Sequence, residues 1–354
     1  MSKSVTISNG DGVDRRLRRQ WHVLSLFLVG TLLASSLAPE VSGAARAAQP
    51  EQPAAGPGGR DYPYDAVAQR RVGSSPAGAY VFMPADRAAA DEPLPLVIFI
   101  HGFTAVNPDL YGGWIEHLVR RGSVVVYPDY QTANPLAGGQ NAYLGDMMVG
   151  IRAALVTLDT QADGPVVVVG HSMGGILAVN YAARAENAGF PAPDALMVVE
   201  PGACRNCGGE IGFGVALPAS PAFSDELRAS IVVGDESVVG DRDARWIWGM
   251  LEDLPPKQRS YVRIRSDRHG SPALVADHQI PLTLPPGTLN ALDWNGVWRL
   301  LDLQIACLSR GAACGSMFGP GDVSNMGRWS DGEPVTPLVV GPPEARSTQW
   351  HGEG

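Results

Sequence analysis

Ser172 has surroundings that could make a hydroxyl react. In VVVVGHSMGGILAVN, Val166 to Asn180, it stands between a run of four valines and a helical apolar pattern that begins at Ile176. The valine run, with Pro165 before it, reads as a short strand buried on both faces, as found in parallel sheets. Between strand and helix, Gly170-His171-Ser172-Met173-Gly174 matches G-x-S-x-G. Such a turn strains the serine backbone and brings other backbone so close that glycine is needed on either side. The competing interpretation is a glycine-rich turn whose serine only caps the helix. The strand before it and the helix after it favour a nucleophile.

A serine hydroxyl attacks only when a base takes its proton, and a carboxylate must orient that base. Behind such a turn the chain order is serine, acid, histidine. His22 lies in the N-terminal segment, His101 in a His-Gly turn, His117 on a helix before the serine, and His351 in the tail. His171 adjoins Ser172 and folds back onto it poorly. His269 and His278 remain, and His269 is preferred because it follows the strand Tyr261-Val-Arg-Ile-Arg265, at the edge where ligand sites form. His278, in Ala276-Asp-His-Gln, is the alternate. The acid is expected after the preceding strand, where Ile231-Val-Val-Gly-Asp-Glu-Ser offers Glu236 first and Asp235 second. Asp241 reads as a cap of the next helix, and Glu200, at the end of an earlier strand, is an outside candidate. Two backbone amides must face the developing oxyanion, and the expected pair is Met173, after the nucleophile, and Phe103, in His101-Gly102-Phe103.

These residues require a frame of alternating strands and helices. Strand patterns occur at 79–83, 94–100, 123–127, 195–200, 229–233 and 261–265. Helical patterns occur at 114–121, 141–160, 176–187 and 244–254, with a last amphipathic helix through Val297, Leu300, Leu301, Ile305 and Leu308. This alternation predicts an α/β fold, an open and mainly parallel sheet flanked by helices on both faces. Residues 61–321 form the expected domain, after a Pro/Gly-rich linker at 49–60 and before a loosely ordered tail at 322–354.

Residues 1–48 read as an export signal: Arg15, Arg16, Arg18 and Arg19 precede a short apolar run from Val23, and small residues follow from Val41. The apolar run is short for a stable span, so no membrane anchor is expected after cleavage, an uncleaved anchor being the alternative. Cleavage near Ala48 leaves 21 basic against 33 acidic residues, a net charge of −12 in place of −9 for the full chain. Such a surface repels nucleic acid and anionic membranes. The four cysteines form two close pairs, Cys204/Cys207 and Cys307/Cys314, which in an exported chain read as local disulfides rather than a zinc site.

On Leu96-Val-Ile-Phe-Ile-His-Gly-Phe103, Gly170-His-Ser-Met-Gly-Gly175, the loop at Gly234 and His269, the chain resembles the α/β-hydrolase superfamily over roughly residues 70–310. Within it, the chain looks like exported lipases, esterases and polyester hydrolases. It departs at the acid loop, where Ser237 stands three residues after Gly234 in the usual place of Asp. The resemblance implies no metal and no cofactor. It implies an exported, secreted serine hydrolase acting on a small or polymeric carboxylic ester through an acyl-enzyme. Acyl transfer or peptide cleavage on the same machinery, or an inactive binding protein on this fold, are the alternatives. The loop from Pro201 to Pro221, pinned by Cys204 and Cys207, is expected to wall the site and is too short for a large lid.

Overall fold

The computed structural model describes residues 46–87, 94–132, 140–158, 162–208, 213–311, 314–318 and 323–344. The export signal expected over 1–48 therefore lies, as far as Ala45, outside the described residues. The elements in chain order are β1 (Val67–Val72), β2 (Ala79–Pro84), β3 (Leu96–Ile100), α1 (Gly112–Arg120), β4 (Val124–Pro128), α2 (Tyr143–Leu158) and β5 (Val166–His171). There follow α3 (Met173–Ala182), β6 (Ala195–Val199), β7 (Arg228–Gly234), α4 (Gly240–Met250), β8 (Arg259–Ile264), α5 (Trp298–Arg310), α6 (Cys314–Phe318) and β9 (Val339–Val340).

The strands make one nine-stranded sheet in the order β1-β2-β4-β3-β5-β6-β7-β8-β9. It is parallel from β4 through β8 and antiparallel only at the edge pairs β1/β2, β2/β4 and β8/β9. The expected open, mainly parallel sheet is thus found. Its central strands are apolar at nearly every position because both faces are covered. Alternate side chains serve opposite cores: Ile98, Ile100, Val168 and Val198 meet Met147, Ile151, Ile176, Leu177 and Ile247 of α2, α3 and α4. Val97, Phe99, Val169 and Met197 meet Trp114, Leu118, Leu300 and Leu301 of α1 and α5. All ten residues of α3 are buried, as an all-round apolar helix requires.

Three expectations need correction. The strand β1, Val67-Ala-Gln-Arg-Arg-Val, was not expected, because an edge strand with an exposed face carries no apolar run. The linker at 49–60 and the tail after 322 are not loose where the structure describes them. The Ala47 carbonyl accepts from Ser271 N–H at 2.9 Å, Ala48 exchanges hydrogen bonds with Ser330, Gln49 Oε1 accepts from Ala291 N–H, and Gly58 N–H donates to the buried Asp302 carboxylate at 2.7 Å. In the C-terminal stretch, Val323, Met326, Trp329, Val335 and Leu338 are buried in the second core, and Thr336 donates twice to Asp267 Oδ2. Sequence composition reads such segments as solvated, but their partners lie in other parts of the chain. No helix among the described residues is long and apolar enough to cross a membrane.

Candidate active site

Strands β3, β5, β6, β7 and β8 run the same way, so their carboxyl ends share one edge of the sheet, the place where ligands bind in such folds. Ser172 leaves β5 there with φ 56° and ψ −123°, a strained conformation for a residue with a side chain. The turn is possible only because its flanking residues lack Cβ. A Cβ on Gly170 would lie 2.2 Å from the Gly174 carbonyl oxygen, and one on Gly174 would lie 2.1 Å from the Ile100 oxygen. The second contact also presses the start of α3 against the end of β3, next to His101-Gly102-Phe103.

That turn is fixed from several sides. The buried His101 ring stacks on Tyr130 at 4.2 Å between centroids and on Tyr127 at 5.2 Å, and the Tyr130 hydroxyl donates to the His101 carbonyl at 2.6 Å. Burial drives the His101 pKa down to about 4, so the ring is neutral. Thr104, at φ 68°, donates its amide to Gln131 Oε1 at 2.7 Å. Among the described residues, neither the Phe103 nor the Met173 amide donates to a protein acceptor, which leaves both expected oxyanion donors available.

The structure brings His278, not His269, to the serine. His278 Nε2 is 3.0 Å from Ser172 Oγ, and its Nδ1 is 3.4 Å from Glu200 Oε2, long for a hydrogen bond, as resting sites often are. Glu200 directly follows β6 at φ 49°, fully buried, and its carboxylate also accepts from Gly234 N–H and Ser237 Oγ. Register explains its place: His171 pairs with Val199, so the next residues of each strand, Ser172 and Glu200, leave the sheet side by side. His278 sits in a turn whose flanks, Leu274, Ala276, Ile280 and Leu282, are buried. The Ala276 carbonyl accepts from Glu236 N–H, and Ile280 N–H donates to the Asp277 carbonyl.

The preferred assignments to His269 and Glu236 are therefore corrected. His269 is exposed and bound to Asp331 Oδ2 at 2.6 Å; that carboxylate raises its pKa. Its loop packs on the buried Trp329, a partner from the C-terminal stretch invisible to local reading. Glu236 faces Arg268 at 2.6 Å, and hydrogen bonding to that guanidinium lowers its pKa to about 2. Asp235 Oδ1 accepts from the backbone and side chain of Ser266. Asp241 does not cap its helix but pairs with Arg245 at 2.6 Å and Arg263 at 3.3 Å. Signals for the residues passed over existed: Glu200 ends an otherwise wholly apolar strand, and apolar anchors surround His278 where polar residues surround His269.

Both cysteine pairs are disulfide-bonded, Cys204–Cys207 and Cys307–Cys314. The first lies in the loop after β6, where Cys204 N–H donates to the buried Asp243 carboxylate at 2.9 Å. A Cβ on Gly202 of this loop would lie 3.5 Å from Ser172 Oγ and 3.7 Å from His278 Cε1, so its first residues wall the serine. Phe213, farther along, meets Phe103 edge-on at 4.6 Å. Among the described residues no three His, Cys, Asp or Glu side chains converge as a metal site would require.

The sequence model described as the alpha/beta hydrolase family matches residues 97–343. No curated protein matches. Solved structures similar to the chain include carboxyl esterase 2 of the mycorrhizal fungus Tuber melanosporum, at 16% identity and a TM-score of 0.48, covering 70% of this chain and 90% of that one. A fungal esterase of Rhizomucor miehei, at 15% identity and a TM-score of 0.48, covers 71% and 87% respectively. A hyperthermophilic esterase of the archaeon Pyrobaculum calidifontis, at 18% identity and a TM-score of 0.43, covers 58% and 77%.

Proposed function

The chain belongs to the alpha/beta hydrolase family, and from that premise we propose that it is an exported serine hydrolase that cleaves carboxylic esters through an acyl-enzyme. The observation that carries this reading is the hydrogen bond between Ser172 Oγ and His278 Nε2 at 3.0 Å, made by a serine held at φ 56°. In the productive tautomer His278 keeps its proton on Nδ1, toward Glu200, and accepts the serine proton on Nε2. Ser172 Oγ then attacks the ester carbonyl, and the Phe103 and Met173 amides hold the oxyanion. The imidazolium returns its proton to the departing alkoxide, leaving an acyl-serine and an alcohol. Water, deprotonated by His278, attacks the acyl carbonyl, and the Ser172 alkoxide leaves with that proton. Glu200 orients the ring and stabilises its charged form.

Esters are the preferred acyl class because an alcohol departs with less demand on the acid than an amine does. Two disulfides support an oxidising destination, and with it export.

Ser172→Ala tests the reading. Hydrolysis of short nitrophenyl esters should fall by at least ~10³-fold while the thermal transition is kept, since the hydroxyl serves chemistry rather than packing. A fluorophosphonate should label the parent protein at Ser172 and leave the variant unlabelled. Undiminished hydrolysis by Ser172→Ala, or label on another residue, would overturn the proposal.

A further inference from the structure

A buried chain of hydrogen bonds runs between the two halves of the site. Gly102 N–H donates to Tyr111 Oη at 2.9 Å, Tyr111 Oη is 2.8 Å from His171 Nδ1, and His171 Nε2 is 2.9 Å from the His278 carbonyl oxygen. The bond directions are fixed. A carbonyl oxygen only accepts, so His171 carries its proton on Nε2. Burial, with His278 close by, drives the His171 pKa down to about 3, so the ring is neutral and Nδ1 holds a lone pair. Tyr111 therefore donates its single proton to His171 while its oxygen accepts from Gly102.

The two ends matter more than the links. Gly102 precedes the Phe103 amide, and the His278 carbonyl belongs to the residue whose ring reaches Ser172. A Cβ on Gly102 would lie 3.1 Å from His171 Nδ1, 3.3 Å from Tyr111 Oη and 3.3 Å from Ser172 Cβ, so the chain passes directly beside the serine. Both linking side chains are buried, Tyr111 wholly.

We propose that Tyr111 and His171 are positioning residues that span the serine from beneath and hold the oxyanion turn and the His278 turn at one fixed separation. This rests on the reading of Ser172, His278 and the Phe103 amide given above. The His278 turn lies in the long connection between β8 and α5, and the bond to its carbonyl is made by the residue adjacent to the nucleophile itself. A shift of either turn would misplace a proton acceptor or an oxyanion donor, and misplacement near 1 Å costs about 100-fold in rate. The histidine of the G-x-S-x-G turn, which cannot serve as the base, thereby acquires a role.

The test compares Tyr111→Phe, His171→Phe, His171→Gln and the double variant Tyr111→Phe/His171→Phe on a short nitrophenyl ester. Tyr111→Phe and His171→Phe should each lower kcat by roughly 10- to 100-fold with KM within about threefold of the parent. His171→Gln, whose amide can still donate to the His278 carbonyl, should recover part of the loss. The double variant should lose no more than the worse single variant, because a chain already broken has nothing further to lose. Losses that add, an unchanged kcat in Tyr111→Phe, or a fall in the kcat of Tyr111→Phe matched by loss of its thermal transition would overturn the proposal. If His171→Phe does not fold, Tyr111→Phe, which removes one oxygen, and His171→Gln decide the matter. Ser172→Ala is assayed beside them. Activity retained there defeats the functional reading itself, whereas an inactive Ser172→Ala beside an unaffected Tyr111→Phe defeats only the positioning role.

Discussion

Ser172 is the candidate site residue whose surroundings in sequence are also its surroundings in space. The strand, the glycines and the helix that strain it are all within ten residues, so its turn is legible locally. Its partners arrive from distant segments. His269 directly follows a strand, but Asp331 and Trp329 of the C-terminal stretch hold it elsewhere. His278 is carried to the serine by a turn whose buried flanks, Ala276 and Ile280, fix both ends. The acid shows the same division: Glu236 is taken up by Arg268, while Glu200 emerges beside Ser172 because their strands are neighbours. His278→Ala is expected to lower kcat by at least ~10³-fold, and His269→Ala to stay near the parent, since only the first removes a proton acceptor. Likewise Glu200→Gln should cost roughly 10²- to 10⁴-fold, the larger figure being the scale of a mispositioned imidazole, and Glu236→Gln almost nothing. Paired assays on one ester decide both, and a reversed order in either pair would return the assignment to the loop after β7 or β8.

Among the elements, the central strands are legible because burial on both faces leaves an unbroken apolar run, as in Leu96–Ile100. The helices show through periodicity. The turn that leads into α5 does not, because nothing in its composition marks a π-helical step at Asp293–Val297. At its start stands a buried carboxyl. Asp293 Oδ2 accepts from Asn290 N–H at 2.7 Å, Oδ1 has no partner among the described residues, and burial raises its pKa well above the ordinary carboxylate value. The unfolded carboxyl ionises near 3.8 and the folded one much later, so this group's stabilising contribution is complete below that pH and is lost as pH rises. Asp293→Asn keeps the acceptor for Asn290 and removes the ionisation. It is expected to stabilise the protein by about 1–3 kcal/mol at pH 7.5, the cost of a poorly partnered buried polar group, with the gain shrinking toward pH 4. Urea unfolding at the two pH values measures it. Destabilisation at pH 7.5 would mean that the carboxyl holds an interaction the amide cannot reproduce.

At the scale of the molecule, the body is closed by its own ends. The segment from Arg46 and the stretch through Leu338 lie along the sheet's second core, and they meet each other where Ala48 and Ser330 exchange hydrogen bonds. Composition gave no hint of this, since Pro- and Gly-rich sequence is the same whether free or clasped. The clasp bears on where an export signal would be cut. Cleavage after Ala48 would remove the Ala47 carbonyl that receives Ser271 N–H and both Ala48 bonds to Ser330. The Ser271 bond secures the loop after Gly270, the same loop that carries Trp329 against its face: a Cβ on Gly270 would lie 2.2 Å from the Trp329 ring and 2.3 Å from the Ala47 oxygen. The clasp is therefore kept whole only if cleavage falls before Ala47. If the protein is exported as proposed, N-terminal sequencing of the secreted form should begin at or upstream of Ala47. A form beginning at Gln49 gives up three backbone-anchored hydrogen bonds, worth about 1 kcal/mol each before solvent exposure reduces them. In a domain of this size each kcal/mol moves the melting temperature by about 2–4 °C, so the shorter form should melt several degrees lower. Its rate on the nitrophenyl ester at 25 °C should be unchanged, because the clasp touches neither Ser172 nor His278. Equal melting of the two forms, or a natural N-terminus at Gln49, would show that the first turn of the clasp contributes nothing to the folded protein.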